Sequence, residues 1–337
     1  MPAIPASGAI SLSDFATEFG GTPPHSMSEY YRNGANVPSN NSNVPTAGAF
    51  RFGQMRGAIN EIILAATSGA NVDLSSLFGA NWTSTVPKRL TIGSGVTIGG
   101  TGSSAAIIIP SNMAGTLEID NAGSILGFGG AANGGAGGNA IQNSASGVTI
   151  NNTGLLAGGG GGGGLGGTGG QGSTSVLTYY FNWNESYIWK NHQEDNWAYY
   201  KWAGGPQINI PRGTTVHNGH YRGSVVDSGP NPAAFYIGRY VTSYFNGGSG
   251  GSGGVGQGYN QSNTSGSSGS SGGTNAGTGG TGGSGAAYGT AGSTGATGAN
   301  GNSSNGSGGA SGGAAGAAVT GTSVTMNNTG TLAGAVA

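Results

Sequence analysis

The stretch "GVTINNTGLLAGGGGGGGLGGTGGQG", Gly147–Gly172, decides how the chain is read. It opens as an alternating strand with an Asn-Asn-Thr-Gly turn, then runs through seven consecutive glycines without a charged residue. A flexible linker is one reading of such a composition. Order is the other, and it needs an unusual geometry, because glycine is worse than alanine by about 1 kcal/mol per position in a conventional helix.

The first half of the stretch recurs. "LEIDNAGSILG" from Leu117, "VTINNTGLLAG" from Val148 and "VTMNNTGTLAG" from Val324 align without gaps. Each reads as a short strand, a turn in which Asn and Gly supply left-handed positions, and a second short apolar strand closed by glycine. "LTIGSGVTIGG" from Leu90 and "AAIIIP" from Ala105 add further short strands. One copy stands before each of the first two glycine tracts and the last follows the third, so the copies read as rungs of a β layer that frames the tracts.

Within the tracts, glycines 289, 292, 295, 298 and 301 keep an unbroken period of three, and "GGSGGSGGVG" from Gly247 follows it. Period three belongs to the polyproline II geometry, which has no internal hydrogen bonds. A collagen triple helix would need imino acids, and no proline follows Pro232. The ordered solution that remains is a bundle of polyglycine II helices, each bonding its backbone N–H and C=O groups to neighbours, with Cα–H···O contacts in support. An inward charge would break that lattice, in keeping with the absence of charge between Asp120 and Glu185 and after Arg239. At about 3.1 Å per residue, 127–140 and 158–172 would each span roughly 45 Å, one length for two passes.

Composition bounds the rest. Of 337 residues 76 are glycine, 6% are charged and 35% are apolar, so disorder driven by charge does not fit. A net charge of −1 gives no reason to expect nucleic acid or an anionic membrane as partner. Cysteine is absent, which excludes disulfide staples and thiolate zinc sites. "MPAIPASGAISLSD" has no basic or apolar leader pattern, and no window approaches the roughly 18 apolar residues of a membrane span. The expectation is a protein made soluble in a cytoplasm, without membrane insertion, metal or cofactor.

The front of the chain holds its own repeat. "PASGAISLSDF" from Pro5 and "PTAGAFRFGQM" from Pro45 share Pro, Gly-Ala and apolar residues at Ile10/Phe50, Leu12/Phe52 and Phe15/Met55. Each copy reads as a turn, a short strand and a brief helix, with serine caps and glycine stops in "SLSDFATEFGG". "MSEYYRNG" and "VDLSSLFG" read as further helical turns, and "GAINEIILA" from Gly57 is helical in pattern.

Between the tracts, residues 173–246 form a compositional island with four of the five tryptophans and three of the four histidines. A small domain with its own core accounts for part of this aromatic content. The surplus, interleaved with Asn, Gln and single charges, suits binding, because Tyr and Trp offer rigid contact area at low entropy cost. The receptor-binding candidates are Trp183, Tyr187, Trp189, Trp197, Tyr199, Tyr200 and Trp202, which could stack on sugar rings, with Arg212, Arg222 and Arg239 as partners for acidic sugars. For catalysis, Glu185, Glu194, Asp195, Asp227 and His192 share the block, but no spacing selects the two carboxylates of a glycosidase. His217 and His220 in "HNGH" lack a third metal ligand, and the glycine runs lack the Lys-Ser/Thr of a phosphate loop.

The front unit, "ISLSDFATEFGG", "MSEYYRNGANVP" and "VPTAGAFRFGQMRGA", resembles a module found at the start of structural proteins of tailed bacteriophages. Glycine-rich tracts alternating with an aromatic block resemble the distal adhesins of T4-like long tail fibres, whose polyglycine II sandwich displays host-recognition loops. The resemblance implies a tail fibre or tail-associated virion protein that is not an enzyme.

The combined reading is a mainly β and irregular fold in four parts. Residues 1–80 are a small mixed α/β virion-attachment module, 81–172 a short-strand β region with the first glycine-rich tracts, 173–246 an inserted recognition block, and 247–337 a polyglycine II tract closing with a β rung. Expected partners are other virion tail proteins through the N-terminal module, and a host surface polysaccharide or outer-membrane protein. A structural decoration or adaptor protein is the alternative, with a polysaccharide depolymerase behind it. Both a trimer and a monomer fit.

Overall fold

The computed structural model describes residues 4–180, 186–190, 197–202, 208–211, 220–226 and 234–337, with backbone alone over 177–240. Helix α1 (Leu12–Phe19) starts where Ser11 and Asp14 form a reciprocal capping box and stops at Gly20, φ 70°. Its Phe15 and Phe19 pack with Ile4, Tyr30, Val37, Val44, Met55 and Ala58 in a small core. Phe15 and Met55, matched in the front repeat, are both fully buried. Met27–Tyr30 and Phe52–Met55 are single 3-10 turns. The strands expected before each helical segment do not form; over residues 4–58 the ladder is limited to one bridge, Arg32 to Val37.

The helix expected from Gly57 is also absent. Ile62–Ala65 is instead strand β1, because a short run with adjacent β-branched residues takes the conformation its neighbours impose, here parallel pairing. It begins a three-sided parallel solenoid. The first turn is β1, β2 (Gly69–Ala70) and β3 (Val72–Asp73), followed by α2 (Leu74–Phe78). The second is β4 (Lys88–Ile92), β5 (Thr97–Gly99) and β6 (Ile107–Ile109), and the third β7 (Leu117–Asn121), β8 (Ser124–Leu126) and β9 (Ile141–Asn143). β10 (Val148–Asn152) and β11 (Leu155–Ala157) open the fourth.

Residues 158–318 then leave the solenoid. They contain β12 (Gly172–Tyr180), β13 (Ser186–Lys190), β14 (Trp197–Trp202), β15 (Ile208–Pro211), β16 (His220–Val226) and β17 (Ala234–Phe245). β18 (Val319–Gly321) completes the fourth turn, and β19 (Thr325–Asn328) and β20 (Thr331–Ala333) form the last. The three sheet orders are β1-β4-β7-β10-β19, β2-β5-β8-β11-β20 and β18-β9-β6-β3.

The gapless sequence copies are stacked rungs, residue over residue. Leu117 pairs with Val148, and Thr149, Ile150, Asn151 and Asn152 pair with Thr325, Met326, Asn327 and Asn328. A fourth copy starts at Lys88, opposite Leu117. Inward rows such as Leu90, Ile119 and Ile150, or Ile98, Ile125 and Leu156, are fully buried, and Leu74, Phe78 and Trp82 join the same core. The Asn-x-Gly corners do not use left-handed residues as expected. Asn121 Oδ1 instead accepts from the Gly123 N–H at 3.1 Å, and glycine is needed because a Cβ at Gly154 would fall on the Gly123 carbonyl oxygen of the rung below.

Candidate functional site

The glycine-rich excursion is knitted together by backbone hydrogen bonds at every third residue. Gly158–Gln171 runs through its centre. Amides of Gly160, Gly163, Gly166 and Gly169 donate to carbonyls of Gln257, Gly254, Gly251 and Gly248, an antiparallel neighbour. Those of Gly161, Gly164, Gly167 and Gly170 donate to Thr290, Ser293, Ala296 and Ala299, a parallel one. Carbonyls of this central segment accept in turn from 277–286 and from 307–316. Residues 158–164 are all buried, while Leu165, Thr168 and Gln171 put their side chains on one exposed row with the same period of three.

Amides on the outside of the assembly find hydroxyl partners. The Oγ atoms of Ser307, Ser304 and Ser270 accept from the N–H groups of Thr168, Gln171 and Ser249 at 2.7–2.8 Å. This answers the requirement that backbone donors be satisfied, with serine standing in for a missing neighbour.

The two passes of equal length expected for 127–140 and 158–172 are not equal. The first doubles back at Asn133 and Gly134, φ 65° and 93°, where Gly135 N–H bonds to Ala131 O. Both arms of the resulting hairpin pack on the central segment, through Gly130 N–H to Gly160 O and Gly162 N–H to Gly135 O. Asn and Gly are the residues that take this backbone conformation cheaply.

The end of the glycine assembly remote from the solenoid holds the base of the aromatic block. Ser173 is clamped by two asparagines from later turns: its carbonyl accepts from Asn275 Nδ2 at 3.0 Å and Asn302 Nδ2 at 2.9 Å, and its N–H donates to Asn302 Oδ1 at 2.7 Å. These residues escaped sequence reasoning; Asn275 stands alone in its Gly/Ser/Thr tract, but Asn302 lies between Asn300 and Asn305 and is not marked out by composition. From the clamp, β12 and β17 run as an antiparallel ribbon from the Gly172–Phe245 pair, with Val176, Val241 and Tyr244 exposed.

The candidate residues fall in two three-stranded sheets. Tyr187 and Trp189 lie on β13, and Trp197, Tyr199, Tyr200 and Trp202 on β14, with Trp189 opposite Tyr199. Arg222 lies on β16 and Arg239 on β17, where Arg239 pairs with His220 and Thr178. Trp183 and Arg212 lie outside the described residues, as do Glu185, His192, Glu194, Asp195, Asp227 and His217.

Four charged residues on or beside the first solenoid sheet form one array. Arg89 bridges Glu61, Glu118 and Asp120 at 3.1, 2.7 and 2.7 Å. Burial opposes its charge, but hydrogen bonds to Asp120 and Glu61 outweigh that and hold the guanidinium pKa above its ordinary value. Lys88, 1% exposed, donates to the carbonyls of Ser84, Val86 and Ala114, and burial lowers its pKa. Among the described residues no group of three or more His, Asp or Glu could hold a metal ion, and no helix is long and apolar enough to cross a membrane.

A comparison with curated proteins finds no match. Among solved structures, the crystal structure of the gp37-gp38 adhesin tip complex of the bacteriophage S16 long tail fiber is similar at 18% identity, covering 98% of this chain and 100% of that chain, with a TM-score of 0.39. Residues 60–223, a little under half of the chain, match the family described as phage tail fibre adhesin Gp38. That segment takes in the first solenoid rungs, the central glycine segment and most of the aromatic block, and over it the chain is similar to phage tail fibre adhesins.

Proposed function

We propose that the glycine segments are polyglycine II helices and that their bundle is a rigid strut carrying the aromatic block to a host receptor. The observation that carries this is the clamp at Ser173, which fixes the base of the block to the bundle by Asn275 and Asn302. The bundle starts at the solenoid, where Gly158 N–H bonds to Ala333 O, and at about 3.1 Å per residue the central helix covers roughly 45 Å before the block begins. Interhelix bonding at every third residue supports the helix assignment, since polyglycine II has no bonds of its own to make.

In this account residues 1–80 dock on other tail proteins, 81–172 and 247–337 form the support, and 173–246 meet the receptor. The protein acts by binding, without catalysis, and is assembled in the host cytoplasm before its place in the virion tail. Adsorption tests the account. Purified protein coats host cells and blocks phage adsorption, and a variant with 178–239 replaced by a short Gly-Ser turn does neither while keeping its thermal stability. Equal blocking by the shortened variant would contradict it.

A further inference from the structure

Among the described residues, Asn-Gly steps stand at Asn33, Asn133, Asn246, Asn300 and Asn305. Such a step is chemically weak, because glycine has no side chain to keep its amide nitrogen away from the preceding carboxamide. The nitrogen must lose its proton to attack, so a hydrogen bond donated by that N–H restrains it. All but one are restrained in this way: Gly34 donates to Tyr31 O at 3.0 Å, Gly134 to Gly163 O at 2.8 Å, Gly301 to Ser304 O at 2.9 Å and Gly306 to Asn300 Oδ1 at 3.0 Å. Gly247 N–H has no acceptor among the described residues.

The lattice accounts for the exception. Gly256, Gly253, Gly250 and Gly247 form one row, lying in turn against the carbonyls of Gly160, Gly163, Gly166 and Gly169. The row faces the 127–140 hairpin, with Gly256 N–H donating to Gly130 O and Gly253 N–H to Asn133 Oδ1, both at 2.8 Å. The hairpin turns back at Asn133 and Gly134, and past that turn its column is vacant. Gly250 and Gly247 therefore find no acceptor there, just as Gly166 O and Gly169 O find no donor among the described residues. Asn246 is exposed, so water reaches it.

We propose that Asn246 is a site of spontaneous deamidation that loosens the root of the aromatic block as the protein ages. The Gly247 nitrogen gives its proton to hydroxide and attacks Asn246 Cγ, and the new N–C bond expels the side-chain nitrogen as ammonia, leaving a cyclic imide. Water opens the ring at either carbonyl, to aspartate or to isoaspartate, so one water is taken up for each ammonia released. The isoaspartate product runs the main chain through Cβ and Cγ. That lengthens it just after Phe245, whose pairing with Gly172 starts the ribbon, and turns the Asn246 carbonyl that accepts from Gly273 N–H into a free carboxylate. The chemistry stands on the hydrogen bonds alone; any effect on adsorption rests on the strut reading above.

The test stores full-length protein warm at mildly alkaline pH and maps its peptides by mass spectrometry. Acid and isoaspartate at position 246 should accumulate about tenfold faster than at 33, 133, 300 and 305, whose amides must first open. Storage in urea should bring the five rates together. Position 246 reacting no faster than the others in the folded protein overturns the site. Stored parent should also be cut several-fold faster near Ser173, while Asn246→Gln, which would have to close a larger ring, should keep its initial rate. Equal quickening in both overturns the loosening. Fresh protein that fails to block phage adsorption contradicts the adhesin reading and leaves these two readouts untouched.

Discussion

Asn121 donates its side-chain amide to Asn152 Oδ1 at 2.7 Å, and Asn152 repeats the gesture to Asn328 at 2.7 Å. Asn121 and Asn152 are buried, so each bond holds a polar group that water cannot reach. Asn152→Ala leaves the amide of Asn121 without its partner in the ladder and should cost about 2–3 kcal/mol. Thr149→Ala, on the outward face of the same strand, should stay within about 0.5 kcal/mol. Urea unfolding of both variants makes the comparison.

Glycine substitution separates a packed bundle from a tether. A Cβ at Gly161 would fall on the carbonyl oxygen of Gly313, and one at Gly295 on that of Leu165, whereas at Gly308 nothing lies within 4 Å. Gly161→Ala and Gly295→Ala should each lose about 1–3 kcal/mol, and Gly161→Asp more, because it also buries a charge. Gly308→Ala should match the parent. Calorimetry that finds all four indistinguishable would remove the packing argument.

Asp73 caps α2, and hydrogen bonds from the Ser75 hydroxyl and the Ser75 and Ser76 amides lower its pKa despite partial burial. A carboxylate depressed in the folded state stabilises above its unfolded value, 3.8, and that contribution is lost as pH falls through the folded value. Asp73→Ala should cost about 1 kcal/mol at neutral pH. The gap should close on acidification, as melting temperatures across a pH series will report.

The Ser173 clamp should control the root of the aromatic block more than global stability. Asn302 is exposed, so Asn302→Ala should lower stability by no more than about 1 kcal/mol. Limited proteolysis near Ser173 should nevertheless quicken several-fold as the root frays. An unchanged cleavage pattern would mean that Asn275 holds the root alone.

Much of this architecture was legible because repetition and period are direct records of stacking. The copies at Leu117, Val148 and Val324 align in sequence because they pair in space. The copy at Lys88 escaped because its corner, between Ile92 and Thr97, is longer than that between Asn121 and Ser124, and a gapless alignment misses it. Strand β1 was misread because Ile62–Ala65 is too short to display a period, and sheet pairing decided it. The hairpin at Asn133–Gly134 was misread because one left-handed pair among many glycines leaves no compositional mark. In the aromatic block the residue types were visible, but their division between faces depends on the Trp189–Tyr199 register, which composition does not carry.

The central claim is that the stretch from Gly158 to Gly170 is a lattice element with its amides bonded to neighbours on several sides. Amide hydrogen exchange over this stretch measures it directly. The account predicts strong protection at Gly160, Gly163 and Gly166, bonded to one neighbour, and equally at Gly161, Gly164 and Gly167, bonded to another. Exchange at random-coil rates across these glycines would contradict it.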